Sequence, residues 1–172
     1  TNPAIDANFT DAVTGNRQIR LLGLDGPYSY YTRGNIPTLG GIASVLGLQL
    51  IPGNWIQSIQ LTKGSGSVLN GFESVAGQVN YELRQPDGRE AIFGQLYANG
   101  GGRLEQSAVY NVDINKKWST NLLAYGRQQV GKPDFNKDGF LDMPQGAMWI
   151  GHNTWKYQGS NGLESQFGFK YA

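Results

Sequence analysis

The chain has 172 residues, a formal net charge of +1 and no cysteine, and it is rich in glycine and aromatic residues with only 16% charged residues. The small charge argues against a nucleic-acid partner, and the absence of cysteine excludes disulfides and thiolate metal sites. Such a composition is typical of an all-β protein, and the scattered acidic residues and single histidine argue against an enzyme.

The first half of the chain carries two strand patterns, at residues 59 to 63 and 78 to 83. In the first, apolar Ile59 and Leu61 alternate with polar neighbours, and a period of two gives a strand one buried and one wet face. Glycines between the two patterns supply backbone freedom, and residues 67 to 69 suit one short helical turn. The pattern therefore predicts a small domain of strands, turns and a little helix.

The order of these features resembles the plug domain of TonB-dependent outer-membrane receptors. Residues 18 to 24 are similar to an earlier plug strand, and Ile51-Pro52 matches the approach to the next one. The family usually has an acidic residue where Gln57 or Gln60 stands, and proline where Ser65 stands. The matching positions are Lys63-Gly64, Ser67 to Leu69, Gly71, Ala76-Gly77 and Asn80. The resemblance, closest to Bacteroidetes receptors, implies an α+β fold with a small mixed sheet.

The second half of the chain has a different rhythm, which begins after Pro86-Asp87-Gly88. About five strand-like segments of roughly ten residues follow, the spacing expected of barrel hairpins. We therefore predict a plug at residues 1 to 86, truncated at its N-terminus, and the first antiparallel strands of a transmembrane β-barrel at 87 to 172. The chain is then expected to be a fragment of a longer receptor. The predicted strands are Glu90 to Ala98, Arg103 to Ile114, Trp118 to Gln128, Ala147 to Tyr157 and Leu163 to Tyr171.

Aromatic residues lie near the ends of several of these predicted strands. Tryptophan and tyrosine in such places suit the interfacial girdles of a membrane barrel. The alternative is that they are ordinary core aromatics of a soluble β-sandwich. In the third segment, Leu122 and Asn121 belong to opposite faces, although Leu123 and Tyr125 blur the division.

The connections between the predicted strands differ in length. In membrane barrels the periplasmic turns are short and the extracellular loops are longer. If the plug leads into the first strand from the periplasmic side, the short connections 115 to 117 and 159 to 162 are periplasmic. The long connection 130 to 146 is then extracellular, as is the short turn 99 to 102. The connection lengths therefore predict an orientation in the membrane.

The long connection contains the strongest ligand motif of the sequence. Side-chain oxygens at alternate positions, followed by Gly139, form the front half of a calcium loop. Gln145 stands where the bidentate glutamate would be, so we expect weak affinity, in the millimolar range of extracellular modules. The alternative is an Asx-turn in a polar surface loop. The candidate calcium ligands are Asp134, Asn136, Asp138, the Phe140 carbonyl and Asp142.

The resemblance also implies functional positions in the plug. Lys63 matches the basic residue that pairs with acids of the barrel wall, with a solvated lysine as the alternative. The loops at 25 to 31 and 38 to 41 correspond to regions that rise to the plug apex and touch the ligand; packing against the barrel wall is the alternative for their tyrosines. His152 has no histidine, aspartate or glutamate neighbour at the spacing of metal ligands, which indicates that it is a lumen or core residue. The implied apex residues are Asp25, Tyr28, Tyr30, Tyr31, Leu39 and Gly40.

The function implied by the resemblance is energy-coupled, non-enzymatic uptake of a scarce nutrient across the outer membrane. Ligands of such receptors include ferric siderophores, cobalamin, metal chelates and glycans. The implied partners are the TonB protein, outer-membrane lipid and a surface lipoprotein, and no cofactor is required beyond the candidate calcium ion. The alternative is a non-transporting binding or structural component of an outer-membrane surface complex. A TonB-contacting box in the full-length gene would distinguish the two.

Overall fold

The computed structural model describes residues 5–9, 17–39, 47–66, 74–86 and 90–172. The chain divides into two compact units, Thr1–Leu83 and Arg84–Ala172. The domain boundary predicted from the sequence lies between residues 86 and 87. Both units are built mainly from β-strands, as the sequence predicts, with one mixed sheet and one antiparallel sheet of five strands.

Helical structure among the described residues is limited to short 3-10 segments. These segments are Gly26–Tyr28, Gly47–Leu50 and Gly53–Trp55. The helical turn predicted at residues 67 to 69 lies outside the described residues. Within the described ranges, no helix is both long enough and apolar enough to span a membrane.

The described residues of the first unit form six strands. They are β1 (Ile5–Phe9), β2 (Arg17–Leu21), β3 (Ser29–Arg33), β4 (Ile36–Leu39), β5 (Ile56–Lys63) and β6 (Gly77–Leu83). Strands β1 and β2 pair antiparallel. The other four form the mixed sheet in the order β4-β3-β6-β5, in which β3 and β6 are parallel and the remaining pairs are antiparallel. The predicted mixed sheet is therefore confirmed.

Strands β3 and β4 correct the interpretation of residues 25 to 31 and 38 to 41 as loops. Tyr30 and Tyr31 belong to β3, and Leu39 ends β4. The strand conformation of β3 depends on its parallel pairing with β6, in which Thr32 lies opposite Asn80. A pairing partner so distant in the chain leaves no local pattern, so the sequence did not indicate this strand.

The core of the first unit lies on one face of the mixed sheet. Its buried apolar residues are Leu21, Tyr31, Ala76 and Val79, with Ile19, Leu39 and Leu48 packed against them. Strand β6 begins at Gly77, whose φ is 142°. A Cβ at Gly77 would overlap the backbone carbonyl of Thr62 on the neighbouring strand β5. Glycine is therefore required for β6 to begin so close to β5.

The opposite face of the mixed sheet carries a hydrogen-bond network centred on the buried side chain of Asn80. Its Oδ1 atom accepts hydrogen bonds from Thr32 Oγ1 and from the Asn35 backbone N–H, both at 2.9 Å. Its Nδ2 atom donates to Gln60 Oε1 at 3.3 Å. One amide therefore connects β3, the turn after it and β5, which explains a central asparagine in β6.

Five strands form the second unit. They are β7 (Ile92–Ala98), β8 (Arg103–Asp113), β9 (Trp118–Gln129), β10 (Gly146–Gln158) and β11 (Glu164–Tyr171). Each strand pairs antiparallel with the next one in the chain, in the order β11-β10-β9-β8-β7. All five correspond closely to the five predicted segments, because a period of two and glycine- or asparagine-containing turns are local signals.

Candidate functional site

The two faces of the five-stranded sheet follow from its register, because residues directly opposite on neighbouring strands have side chains on the same face. One face contains the row Gly94, Ala108, Ala124 and Gly151. The other face contains the row Val109, Leu123 and His152. We call the first the apolar face and the second the polar face, after the side chains that each face carries above and below this row.

The apolar face is exposed although it carries large hydrophobic side chains. Leu122, in the middle of the central strand β9, is 49% exposed, and Leu96 on β7 is 79% exposed. The core of a soluble sandwich would bury such residues. Other large residues exposed on this face are Ile92, Tyr110, Trp149, Phe167, Phe169 and Tyr171.

The polar face is more buried than the apolar face in the middle of the sheet. Asn121, next to Leu122 in β9, has no exposed surface, and Ser107, His152 and Thr154 are also buried. Two apolar residues that blurred the sequence pattern, Leu123 and Tyr125, lie on this face and are buried as well. The sheet is therefore amphipathic in the sense opposite to that of a water-soluble sheet, with its apolar side exposed.

A charged group lies on the polar face at the end of the sheet nearer to the long connection 130–145. Arg103 and Glu105 on β8 form an ion pair. The Tyr125 hydroxyl group donates a hydrogen bond of 2.8 Å to Glu105 Oε2. Arg127 lies directly opposite Glu105 in the register. Arg103, Glu105 and Tyr125 thus form one connected polar group on this face.

Aromatic rings gather on the apolar face at the end with the two short connections. The ring centroids of Trp118 and Tyr157 are 4.9 Å apart, and Phe167 lies 6.4 Å from both Trp118 and Trp155. Phe169 extends the group, with its centroid 6.1 Å from that of Phe167. The cluster joins β9, β10 and β11 in a band across the ends of the strands.

The long connection 130–145 is held by hydrogen bonds between its own acidic side chains and its backbone. The carboxylate of Asp134 accepts from the N–H groups of Asp138 and Gly139, each at 3.1 Å. The carboxylate of Asp138 accepts from Phe140 N–H at 2.8 Å, and that of Asp142 accepts from Phe135 N–H at 2.7 Å. The Asp138 contact, with the N–H group two residues on, is an Asx-turn, the structure that the sequence left open as the alternative to a calcium site. The contacts of Asp134 and Asp142 span four to seven residues and hold the loop together.

The predicted calcium ligands therefore lie in one loop, but their carboxylates are engaged with backbone amides. Asn136 Nδ2 also donates to Asp138 Oδ2 at 2.8 Å. Over the described part of the chain, no group of three or more histidine, cysteine or acidic side chains is placed to hold a metal ion. Calcium binding stays a prediction.

The predicted apex residues do not share one environment. Tyr28 is exposed, whereas Tyr31 and Leu39 contribute to the core of the first unit. Burial raises the pKa of Tyr31 from its ordinary value of 10.0 to about 12. Asp25 pairs with Arg20 at 2.7 Å. Tyr30 is half-buried in β3, and Gly40 lies outside the described residues.

The two remaining residues singled out from the sequence, Lys63 and His152, lie in β5 and β10. Lys63 is exposed at the end of β5, opposite Gly77 in the register. Its ion pair with a barrel wall stays a prediction. His152 is buried on the polar face, and its Nε2 atom lies 3.1 Å from Thr154 Oγ1. This position agrees with the interpretation of His152 as an interior residue of the sheet.

Two asparagines of the polar face received no role from the sequence. Asn111 and Asn121 lie directly opposite each other on β8 and β9. Asn121 Nδ2 donates to the backbone carbonyl of Arg84 at 2.7 Å, and Asn111 Nδ2 donates to that of Glu90 at 2.6 Å. Alternation places both residues on one face, but no local signal links them to residues that precede β7.

No protein-family model matches the chain, and no curated protein matches it. The family resemblance therefore depends on the order of motifs in the sequence.

Proposed function

We propose that the chain is part of a TonB-dependent outer-membrane receptor that takes up a scarce nutrient. The five-stranded sheet forms part of the wall of a transmembrane β-barrel, and the first unit is the plug. The observation that carries this proposal is the exposed apolar face of the sheet. Leu122 is half exposed whereas its neighbour Asn121 is fully buried, which is the pattern of a strand with lipid on one side and an interior on the other.

The strand lengths support the same proposal. Strands β8, β9 and β10 contain 11, 12 and 13 residues, and a tilted strand needs about 9–11 residues to cross the hydrocarbon core of a bilayer. An ordinary strand of a globular protein has about 5–6 residues. Strands of this length, joined by one short turn between β8 and β9 and one long connection between β9 and β10, fit the hairpins of a membrane barrel.

The aromatic cluster and the connection lengths support one orientation. Rings at strand ends prefer the interface between lipid and water, and the cluster at Trp118 and Tyr157 lies at the end with the short connections. We assign this end to the periplasm. The long connection 130–145 is then outside the cell, where its exposed Phe135 and Phe140 meet water or ligand.

Transport by such a receptor is non-enzymatic. A ferric siderophore, cobalamin, another metal chelate or a glycan binds extracellular loops and the plug apex. Of the apex residues, Tyr28 has the exposed ring that such contacts need. The TonB protein then pulls on the plug, and a path opens through the lumen. The mixed sheet and the motif order around Asn80 support the assignment of the first unit to the plug.

A genetic comparison tests this proposal. Cells that lack this protein and cells that lack a working TonB protein are supplied with labelled ferric siderophores, cobalamin and glycans. We expect the two strains to lose accumulation of the same nutrient, and a protonophore to abolish its accumulation in wild-type cells. Normal accumulation of every nutrient without the protein would contradict transport. Binding at the cell surface without accumulation in wild-type cells would favour the non-transporting alternative.

A further inference from the structure

The residues that precede β7 are fastened to the polar face of the sheet. We call Arg84, Gln85, Pro86 and Glu90 the junction, because they lie between β6 and β7 in the chain. The amide groups of Asn121 and Asn111 hold the carbonyls of Arg84 and Glu90 at 2.7 and 2.6 Å. Since these asparagines are opposite each other on β9 and β8, both ends of the junction are bound to adjacent strands.

Side chains of the junction add further contacts. Arg84 pairs with Glu90 at 3.1 Å, and its guanidinium carbon lies 4.8 Å from the ring centroid of Phe93 on β7. Gln85 Oε1 accepts a hydrogen bond of 3.0 Å from Gln166 on β11. Pro86 is buried. The junction contacts β7, β8, β9 and β11. An ordinary connecting loop can link two strands without so many contacts to the rest of the sheet.

We propose that the junction is a fixed anchor, positioned by Asn111 and Asn121, which stops a conformational change of the first unit from reaching β7. This inference rests on the proposed function, in which the first unit is pulled. Tension that reached β7 directly would break its hydrogen bonds with β8 one after another. The anchor instead passes the tension to β8 and to the central strand β9, which pairs along its length with strands on both sides.

The position of Asn121 favours this role over that of an ordinary structural asparagine. Its side chain is fully buried, and a buried amide donor that loses its acceptor is strongly unfavourable. The bond to Arg84 therefore opens less readily than a bond at the surface. Glu90 and Arg84 also form their ion pair beside the two asparagine contacts, so several contacts must break together to free the chain.

Hydrogen exchange of the full-length protein in lipid tests the anchor itself. In Asn121→Ala, backbone amides from Arg84 to Ala91 are expected to exchange roughly tenfold faster, because the junction loses a buried hydrogen bond, while β8 to β10 stay protected. Asn153→Ala is the matched control, since Asn153 Nδ2 donates to the backbone carbonyl of Asn121 at 2.7 Å from the apolar face. Gln166→Ala, at an exposed contact, should give a smaller rise at the junction and provides a second variant if Asn121→Ala folds poorly.

Unchanged exchange at the junction in both Asn121→Ala and Gln166→Ala would overturn the anchor. So would a rise spread over all five strands in Asn121→Ala, because it would mean a general loss of stability. These outcomes do not depend on transport. If wild-type cells show no energy-dependent uptake, the proposed function fails, and the exchange experiment still decides whether the junction is anchored.

A labelling experiment in cells tests whether the anchor resists tension. None of these 172 residues is cysteine, so Ala91→Cys introduces the one thiol of this region, and any cysteine elsewhere in the full-length protein is first replaced by serine. In the Asn121→Ala background, we expect reaction with a maleimide to increase several-fold when cells are energised, and to return to the wild-type rate with a protonophore. The Asn153→Ala background should show no such increase. Equal labelling of Asn121→Ala with and without energy would overturn the proposed role in transport.

Discussion

Both sheets of this protein bury polar side chains, Asn80 in one and Asn121 in the other, but they differ in the exposure of the large apolar residues at their centres. In the mixed sheet of the first unit, apolar Tyr31 and Val79 are buried in a core. In the antiparallel sheet of the second unit, apolar Leu122 and Leu96 are exposed, and polar Asn121 is fully buried. Both sheets alternate along their strands, so alternation alone does not tell which face meets water.

The same alternation of side chains along a strand is therefore compatible with two different environments. A water-soluble sheet gains stability when it removes its apolar face from water. A membrane strand gains stability when its apolar face meets lipid, and its polar groups must find partners inside. We infer that the mixed sheet is organised for water and the antiparallel sheet for lipid. The predictions below test that inference in order of decreasing effect.

The largest effect should come from a charge on the apolar face. Leu122→Arg is expected to lower the free energy of unfolding in lipid vesicles by about 2–4 kcal/mol, the cost of an arginine facing lipid near the middle of a bilayer. Urea unfolding in vesicles measures the change. Gln95→Arg, on the polar face of β7, is the control and should change stability by less than about 0.5 kcal/mol. Equal costs for the two variants would remove the distinction between the faces.

A second effect concerns the network of the mixed sheet. Asn80→Ala leaves the Asn35 N–H and the Thr32 hydroxyl group without their acceptor, so we expect a loss of about 2–3 kcal/mol. Hydrogen exchange of β6 amides measures the local loss. Gln60→Ala removes only the 3.3 Å contact with Asn80 Nδ2 and should cost about 0.5–1 kcal/mol. A cost for Asn80→Ala no greater than that for Gln60→Ala would show that the network contributes little.

Local packing on the apolar face gives a third effect. A Cβ at Gly126 would overlap the indole ring of Trp149, whereas a Cβ at Gly94 on the same face would meet open space. Gly126→Ala is expected to cost about 1–2 kcal/mol and to shift the fluorescence of Trp149, because the ring must move. Gly94→Ala is the control. If both variants leave the emission spectrum unchanged, Trp149 does not rest on Gly126.

Alkaline pH gives the smallest effect and tests the core of the first unit. Burial raises the pKa of Tyr31 from 10.0 to about 12. As the pH rises, Tyr31 therefore ionises in the unfolded chain before it ionises in the folded one. The contribution of Tyr31 to the free energy of unfolding is therefore complete below pH 10 and decreases above it, by about 1 kcal/mol at pH 11. Tyr31→Phe should lose less stability between pH 9 and pH 11 than the wild type. Parallel decreases in the two proteins would contradict the burial of this hydroxyl group.

The sequence predicted the antiparallel strands well because their signals are local. Turn residues bound each segment, and Leu122 and Asn121 were correctly placed on opposite faces. Leu123 and Tyr125 obscured β9, because the polar face of this sheet also contains buried apolar residues. A single sequence shows that two faces differ, but the exposure of Leu122 follows only from the assembled sheet.

The first unit was harder to predict because its key contacts are distant in the chain. Strand β3 pairs in parallel with β6, where Tyr31 lies opposite Val79, and the sequence around Tyr31 suggested a loop. The contact between Arg84 and Asn121 was equally invisible, since it joins residues in different predicted elements. The calcium motif shows the converse limit: its residues lie close together, but their spacing also suits hydrogen bonds to the loop's own backbone, such as those that Asp134 and Asp138 accept.

The most direct test of the central claim is the environment of two adjacent residues on β9. None of these 172 residues is cysteine, so spin labels can be attached singly at Leu122→Cys and Leu123→Cys in the full-length protein in lipid, once any cysteine elsewhere in it has been replaced by serine. The account predicts that the label at 122 collides mainly with dissolved oxygen, which concentrates in the bilayer, and that the label at 123 does not. A label at 122 that is reached mainly by a water-soluble nickel chelate would contradict a membrane-facing sheet.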